Sequence, residues 1–513
     1  MTQHAASHCQ IATFVLNSIL REPITITFSN ISKQEPRTKI VATVGPACGS
    51  VKMLQSLIVG GVDVFRINTA HGTREEHQTT MDSIRQASNA ENQPIGVLVD
   101  LAGPKIRLGL LLEDPTTCGL DDEFRFIRGD APVAVNELTC TYAKLIDELK
   151  VGDRVMLADG TVCMEVTDIE ENAAVCRVKA AGILRSRQGV NLPGVALTVP
   201  AMTEADLSNA KWAAQAGADF ISLSFVRSPD EVIQLKELVQ SFGSTAMIVA
   251  KIEKAEAMAC LKDIVFAADA VMVARGDLGV EIDLAETPMA QKRIVSMCQQ
   301  LAKPVIVATQ MLDSMQHSPR PTRAEVSDVA NAIFDGADAC MLSGETAIGD
   351  FPRESVDMMN SVMQATESSM ATSDEPLQQS AAASAPATAL SGVDPITAAT
   401  VRGALEIAAQ LHANLVVVTS HSGATARFQA KFRRLTRVVG ISDSIETLRR
   451  MSLFWGIKPL AGAPTAGGTE LREFIEAWGK KHNRLSKGDC VVYLTGSGLV
   501  QSAHNVVVVQ KVE

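Results

Sequence analysis

Charged residues spaced two apart mark the stretch 249–279, VAKIEKAEAMACLKDIVFAADAVMVARGDLG. It reads as a strand, a helix and a second strand. Residues two apart on a strand point to one face, so Lys251 and Glu253 share a side. The second strand ends on Arg275, Gly276 and Asp277. If the strands are parallel neighbours, two carboxylates and an ammonium converge at their carboxyl ends. Hard oxygen ligands beside a lysine suit Mg²⁺ holding a phosphorylated substrate. The plainer alternative is an ion pair that caps two strands. The elements that position these residues decide between the two.

Eight apolar strands alternate with helical segments: TKIVATVG (38–45), VDVFRIN (62–68), IGVLVDL (95–101), DFISLSF (219–225), MIVAKIE (247–253), AVMVARGD (270–277), PVIVATQ (304–310) and ADACMLS (337–343). Continuous apolar strands followed by helices predict a parallel sheet covered on its outside. Eight such units predict an α/β fold built on a (β/α)8 TIM barrel. The helix after the fourth strand shows its start, with Ser228 as N-cap and Pro229 at the first position. The strand ends carry Arg66, Asn68, Asp100, Ser224, Lys251, Glu253, Arg275, Asp277, Thr309, Gln310 and Ser343. Barrel enzymes place their chemistry at these carboxyl ends. Ser343 and Glu345 can equally cap the helix that follows the last strand.

Short alternating strands with turn signals, EFRFIRGD, DRVMLADGTVCMEV and NAAVCRVKAAG, interrupt the barrel after the third strand and predict a small inserted β-barrel lid. Residues 366–393 are rich in Ser, Ala and Pro and read as a flexible linker. A second α/β domain follows, with strands at 414–420, 437–442, 489–496 and 504–509. The expected organisation is an N-terminal extension 1–36, barrel 37–104, lid 105–190, barrel 191–365, linker 366–393 and C-terminal domain 394–513. In the last domain TSHSGATAR (419–427) is a strand, a small-residue turn and a helix start. Thr419, Ser420, Ser422, Gly423 and Thr425 make it a candidate phosphate loop. An ordinary strand–helix turn is the alternative.

Composition excludes several classes. The chain has 513 residues and a net charge of −11, with no strongly basic tract, which argues against nucleic acid as a partner. Aromatics are 4%, too few for base-stacking platforms. The ten cysteines form no CxxC pair, a pattern that suits a reducing compartment and a cytoplasmic enzyme. No apolar run reaches the roughly 18–20 residues that cross a bilayer, so no membrane partner is expected. The N-terminal patch IATFVLNSIL lacks the basic start of a secretory signal and suggests a docking helix or a frayed extension.

From about residue 37 onward the sequence resembles the pyruvate kinase family. The motifs are TKIVATVGPA, RINTAHG, DLAGPKIR, GVNLPG, AKIE, VMVARGDLG, ATQMLDSM, PRPTRAEVSDVANAIFDGAD and MLSGETA, in family order. The resemblance implies phosphoryl transfer from phosphoenolpyruvate to ADP, giving pyruvate and ATP, the last step of glycolysis. It implies that Glu253 and Asp277 hold Mg²⁺, with Mn²⁺ as the alternative ion. Lys251 and Arg66 are then catalytic and grip the phosphoryl group. Gly276 and Asp277 line the substrate site, and Thr309 helps deliver a proton to the enolate. Asn68, His71 and Arg107 match nucleotide contacts, although His71 also reads as a turn residue. Asp159 matches a lid aspartate, and the loop 419–425 a site for a phosphorylated allosteric effector. A homotetramer is implied as well.

Several positions depart from the family pattern. Ala70 stands where most members have Ser, Leu101 where they have Thr, and Lys105 where they have Glu. Those residues, with Asn68 and Asp100, surround K⁺ in the majority, and a minority branch with Leu and Lys works without it. Lys105 is therefore expected to supply the charge, and K⁺ is not expected as a cofactor. Gln188 and Ile348 stand where Lys is common, and each is expected to remove one nucleotide-phosphate contact, so that either ADP binds weakly or other groups hold its phosphates. Two other readings stand beside the kinase: an inactive paralogue that senses phosphorylated metabolites, and another barrel enzyme such as a lyase.

Overall fold

The computed structural model describes residues 35–372 except 130, 159 and 196, residues 392–496 except 466 and 467, and residues 505–513. The expectations for the N-terminal patch, Asp159 and most of the linker lie outside these residues. Among the described residues no helix is long and apolar enough to cross a membrane.

All eight expected barrel strands form: Lys39–Thr43, Val62–Asn68, Gly96–Asp100, Phe220–Leu223, Met247–Ile252, Ala270–Ala274, Val305–Ala308 and Ala339–Leu342. They close in chain order into a parallel barrel, with the first paired to both the second and the eighth. Seven of the eight are buried along their whole length, Val62–Asn68 being the exception. That explains why they read as apolar runs and not as alternating ones. The helix after the fourth strand, Pro229–Ser241, starts at the Ser228 cap as expected.

Between the third and fourth strands lies a separate sheet-rich domain. It holds a six-stranded sheet, with Glu123–Ile127, Arg154–Leu157, Val162–Ile169 and Ala173–Ala180 as its longer members, and a two-stranded sheet. Phe124, Phe126, Val155, Leu157, Met164 and Val178 belong to its own apolar core.

The helix Pro352–Thr372 continues past 366, where the linker was expected to begin. Glu367 explains the extension. Its side chain is 4% exposed, and its carboxylate accepts the N–H groups of Arg37 and Thr38 and the Thr38 hydroxyl. A buried anchor outweighs the Ser-rich local composition.

The C-terminal α/β sheet runs in the order Ile457–Pro459, Arg437–Ile441, Leu415–Thr419, Cys490–Gly496, Asn505–Lys511, with only the last strand antiparallel. The short strand Ile457–Pro459 was not expected, because three residues show no periodicity. The barrel's interior residues Val41, Phe220, Met272 and Ile306 join one apolar cluster with Val416, Phe428 and Leu453 of this domain. The C-terminal domain thus plugs the amino end of the barrel and leaves the carboxyl end for chemistry.

Candidate active site

Lys251 lies on the fifth strand and Glu253 directly follows it, and they share a face as period two requires. The Lys251 ammonium is 2.9 Å from Glu253 Oε1, 2.8 Å from Ser224 Oγ and 3.4 Å from Asp100 Oδ2. Asp100, at the end of the third strand, accepts Arg66 Nε at 2.8 Å, Arg66 Nη2 at 2.6 Å and the Ser222 hydroxyl at 2.5 Å. Arg66 Nη1 donates to Thr43 Oγ1. Five strands therefore contribute to one network, in which charge alternates from Arg66 through Asp100 and Lys251 to Glu253.

Burial alone would raise the Asp100 pKa, but the Lys251 and Arg66 charges overcome it and hold the carboxyl below its usual value. Burial alone would likewise lower Lys251, yet Asp100 and Glu253 keep its pKa raised, so it stays an ammonium. Glu253 behaves differently. Burial raises its pKa, Lys251 opposes that, and the Asp277 charge adds to the rise. Its Oε2 accepts the Phe225 N–H at 2.6 Å.

Asp277 was expected on the end of the sixth strand. The strand instead stops at Ala274, and Asp277 sits in the first turn of the helix Arg275–Glu281. Its Oδ1 is 3.9 Å from the Lys105 ammonium. Glu253 and Asp277 are thus two carboxylates whose charges raise a proton affinity, the condition a divalent cation relieves. Among the described residues no group of three or more His, Cys, Asp or Glu gathers as a metal cage. Two carboxylates with room for substrate oxygens is the usual Mg²⁺ arrangement, so the donor set fits that ion.

Thr309 and Gln310 follow the seventh strand with φ of 65° and 54°, a left-handed pair that non-glycine residues adopt only when held. Arg275 holds them. Its Nη2 donates to Thr309 O at 2.7 Å and its Nη1 to Asp328 Oδ2 at 2.6 Å. The Thr309 hydroxyl in turn accepts the Gly276 N–H at 2.8 Å. Arg275 is therefore a brace, and a substrate carboxylate at Gly276 would have to displace the Thr309 hydroxyl.

A family model for "Pyruvate kinase, barrel domain" matches residues 35–356, and one for "Pyruvate kinase, alpha/beta domain" matches 398–510. The chain is 39% identical to a pyruvate kinase 2 of Synechocystis sp., over 90% of this chain and 76% of that one. It is 38% identical to a pyruvate kinase of Mycobacterium intracellulare, over 90% and 95%. A crystal structure of a pyruvate kinase from Cryptosporidium parvum superposes with a TM-score of 0.85 at 30% identity, covering 94% of this chain and 97% of that one. The chain belongs to the pyruvate kinase family. It is a phosphate-transferring enzyme.

Of the other residues expected from the pyruvate kinase pattern, Asn68 pairs with Asp100 across the second and third strands, while His71 and Arg107 lie outside this cluster. Asn68 Oδ1 accepts the Ala70 N–H in the loop after the second strand. His71 is exposed there, and its carbonyl is 2.7 Å from His77 Nε2. Arg107 bridges Gly189 at the root of the lid, and its Nη1 reaches the Arg187 carbonyl at 3.3 Å. Among the described residues no contact ties His71 or Arg107 to Lys251, whereas Asn68 adjoins its partner Asp100. Glu345 is 1% exposed and accepts the N–H groups of Ser343 and Leu312, which makes it a cap. In the C-terminal domain Ser420 Oγ accepts the Gly423 N–H, while Gly423 has φ of 84°.

Sequence reasoning missed Ser222 and Thr43. Ser222 lies two residues before Ser224 on the fourth strand, so period two would have placed both toward Asp100. Thr43 gave no such signal, because its role depends on the second strand lying beside the first.

Proposed function

We propose that this enzyme transfers the phosphoryl group of phosphoenolpyruvate to ADP, giving pyruvate and ATP, with Mg²⁺ on Glu253 and Asp277 and without K⁺. The carrying observation is Lys251, buried between Asp100 and Glu253 beside Arg66. Phosphoryl transfer is mainly positioning and charge neutralisation. Lys251 and Arg66 present fixed positive charge to the phosphoryl oxygens, because Asp100 orients both. The bound cation would supply charge stabilisation for the substrate's carboxylate and phosphate. Thr309, braced by Arg275, orients a proton toward the enolate carbon. Asn68, His71 and Arg107 contact the nucleotide, and Asp159 closes from the lid to exclude water. The cytoplasm, a homotetrameric assembly and an effector at 419–425 follow from the same family reading.

The K⁺ proposal has separate support. Leu101 is fully buried in the apolar core, its side chain offers no oxygen, and its carbonyl already accepts the Ser224 hydroxyl at 2.7 Å. Asp100 is engaged by Arg66, Ser222 and Lys251. The Lys105 ammonium stands beside Asp277, where it adds fixed positive charge.

Pyruvate release from phosphoenolpyruvate, coupled to lactate dehydrogenase, tests the reaction with and without ADP. Turnover that needs ADP and Mg²⁺ is expected, and ADP-independent release or none would overturn the reading. In K⁺-free Tris buffer the wild type is expected at full rate. Lys105→Glu should lose about tenfold or more there and regain part of it with added K⁺. Strong K⁺ activation of the wild type would refute the role given to Lys105.

A further inference from the structure

Asp277 is carried by a short element. The helix Arg275–Glu281 has seven residues, about two turns, too few to hold its own orientation in water. Contacts with the rest of the chain must set it. At its first residue Arg275 donates to Asp328 Oδ2 and to Thr309 O. In its middle Leu278 is buried in the main apolar core. At its last residue Glu281 Oε1 accepts the Lys254 ammonium at 2.6 Å, with side chains 1% and 11% exposed.

That last anchor has a telling place. Lys254 directly follows Glu253 at the end of the fifth strand. Glu281 lies about one turn after Asp277, and residues at that spacing share a helix face. The ion pair therefore bridges the same two elements that carry Glu253 and Asp277. Burial raises the Glu281 pKa first, Lys254 opposes it, and the Glu256 and Asp277 charges add to the rise. Stability is a weak reason for the pair. Buried ion pairs contribute little net stability relative to apolar residues of similar size. Glu281 Oε2 is also buried without a hydrogen-bond partner among the described residues, which adds a desolvation cost.

We propose that Lys254 and Glu281 are positioning residues that set the spacing of Glu253 and Asp277 for the divalent cation. This role presumes the Mg²⁺ placement proposed above. Mg²⁺ tolerates little departure from its preferred geometry, so two carboxylates on separate elements hold it well only if those elements are fixed to each other. Groups that orient metal ligands typically govern affinity by about 10- to 100-fold. Lys254 and Glu281 act on the strand end and the helix, not on the reacting atoms.

Mn²⁺ binding to the full chain without substrate, read from the loss of the free-ion signal in electron paramagnetic resonance, tests it. Thermal unfolding is followed on the same samples. The wild type should bind saturably. Lys254→Met should weaken binding about tenfold or more and lower stability, since it leaves Glu281 unpaired. Lys254→Met combined with Glu281→Leu should recover stability but not affinity. Lys254→Arg, which keeps the pair, should retain both. Wild-type affinity in the folded double variant overturns the positioning role alone. So does an equal loss in Lys254→Arg, because the ion pair would then not be the cause. Failure of both Met variants to fold overturns it too, by making the pair a requirement of the fold. Absence of Mn²⁺ binding to the wild type overturns the cation placement itself, and the positioning role with it.

Discussion

Lys251 matters because of what surrounds it. It is the shared counter-charge of Asp100 and Glu253, both buried. Lys251→Met is therefore expected to act twice. Turnover in the coupled assay should fall about a thousandfold or more, as when a preorganised charge is removed. Thermal or denaturant unfolding should show a loss of about 3 kcal/mol, because two buried carboxylates lose their partner. Near-normal rates would remove Lys251 from the mechanism. Glu253 gives a pH signature. Its pKa is raised by burial first and by Asp277, and the protonated form cannot hold a cation. Activity should thus fall on the acid side with a midpoint above the ordinary carboxylate range. Since the cation competes with the proton, raising Mg²⁺ should move that midpoint to lower pH. A midpoint insensitive to Mg²⁺ would show that another group titrates.

Elements set the accuracy of the site through the loops behind it. The loop after the third strand presses on the loop after the fourth at Gly103, whose φ is 69°. A Cβ there would lie 2.8 Å from the Phe225 ring and 3.0 Å from Ser224 Cβ. Ser224 orients Lys251, and the Phe225 N–H orients Glu253. Gly103→Ala should therefore cost about 1 kcal/mol or more in backbone strain. It should also lower kcat by about tenfold through displaced catalytic groups. Unchanged kcat with lowered stability would show that the two loops move independently of the site.

The whole molecule is joined at the barrel's amino end. Asp338, at the start of the eighth strand, is fully buried and accepts Lys431 and Arg433 from the C-terminal domain. It also accepts the Val305 N–H at 2.8 Å. Burial lowers the pKa of both cations, and Asp338 counters it. Asp338→Ala leaves two buried cations unpaired and should cost about 3–5 kcal/mol. Unfolding followed by both circular dichroism and fluorescence is expected to separate into two transitions, because the barrel and the C-terminal domain lose their polar lock. A single transition at the wild-type temperature would contradict that role.

The chain alone determined the eight strands, their parallel closure, the inserted sheet and the second α/β domain. Continuous apolar runs and their spacing depend only on burial, and burial is written into residue type. It also determined that Lys251 and Glu253 share a face, since period two is a property of one strand. Only the tertiary structure decided which neighbours those residues meet. Asp100 between Arg66 and Lys251, Lys105 beside Asp277, and Arg275 bracing Thr309 all join residues of different strands. Each depends on which strands lie side by side and on where a strand yields to a helix, as at Ala274. The helix held past 366 by Glu367 has the same origin. The charges of the cluster around Lys251 were legible one by one, but their balance arises from long-range contacts that no local pattern encodes.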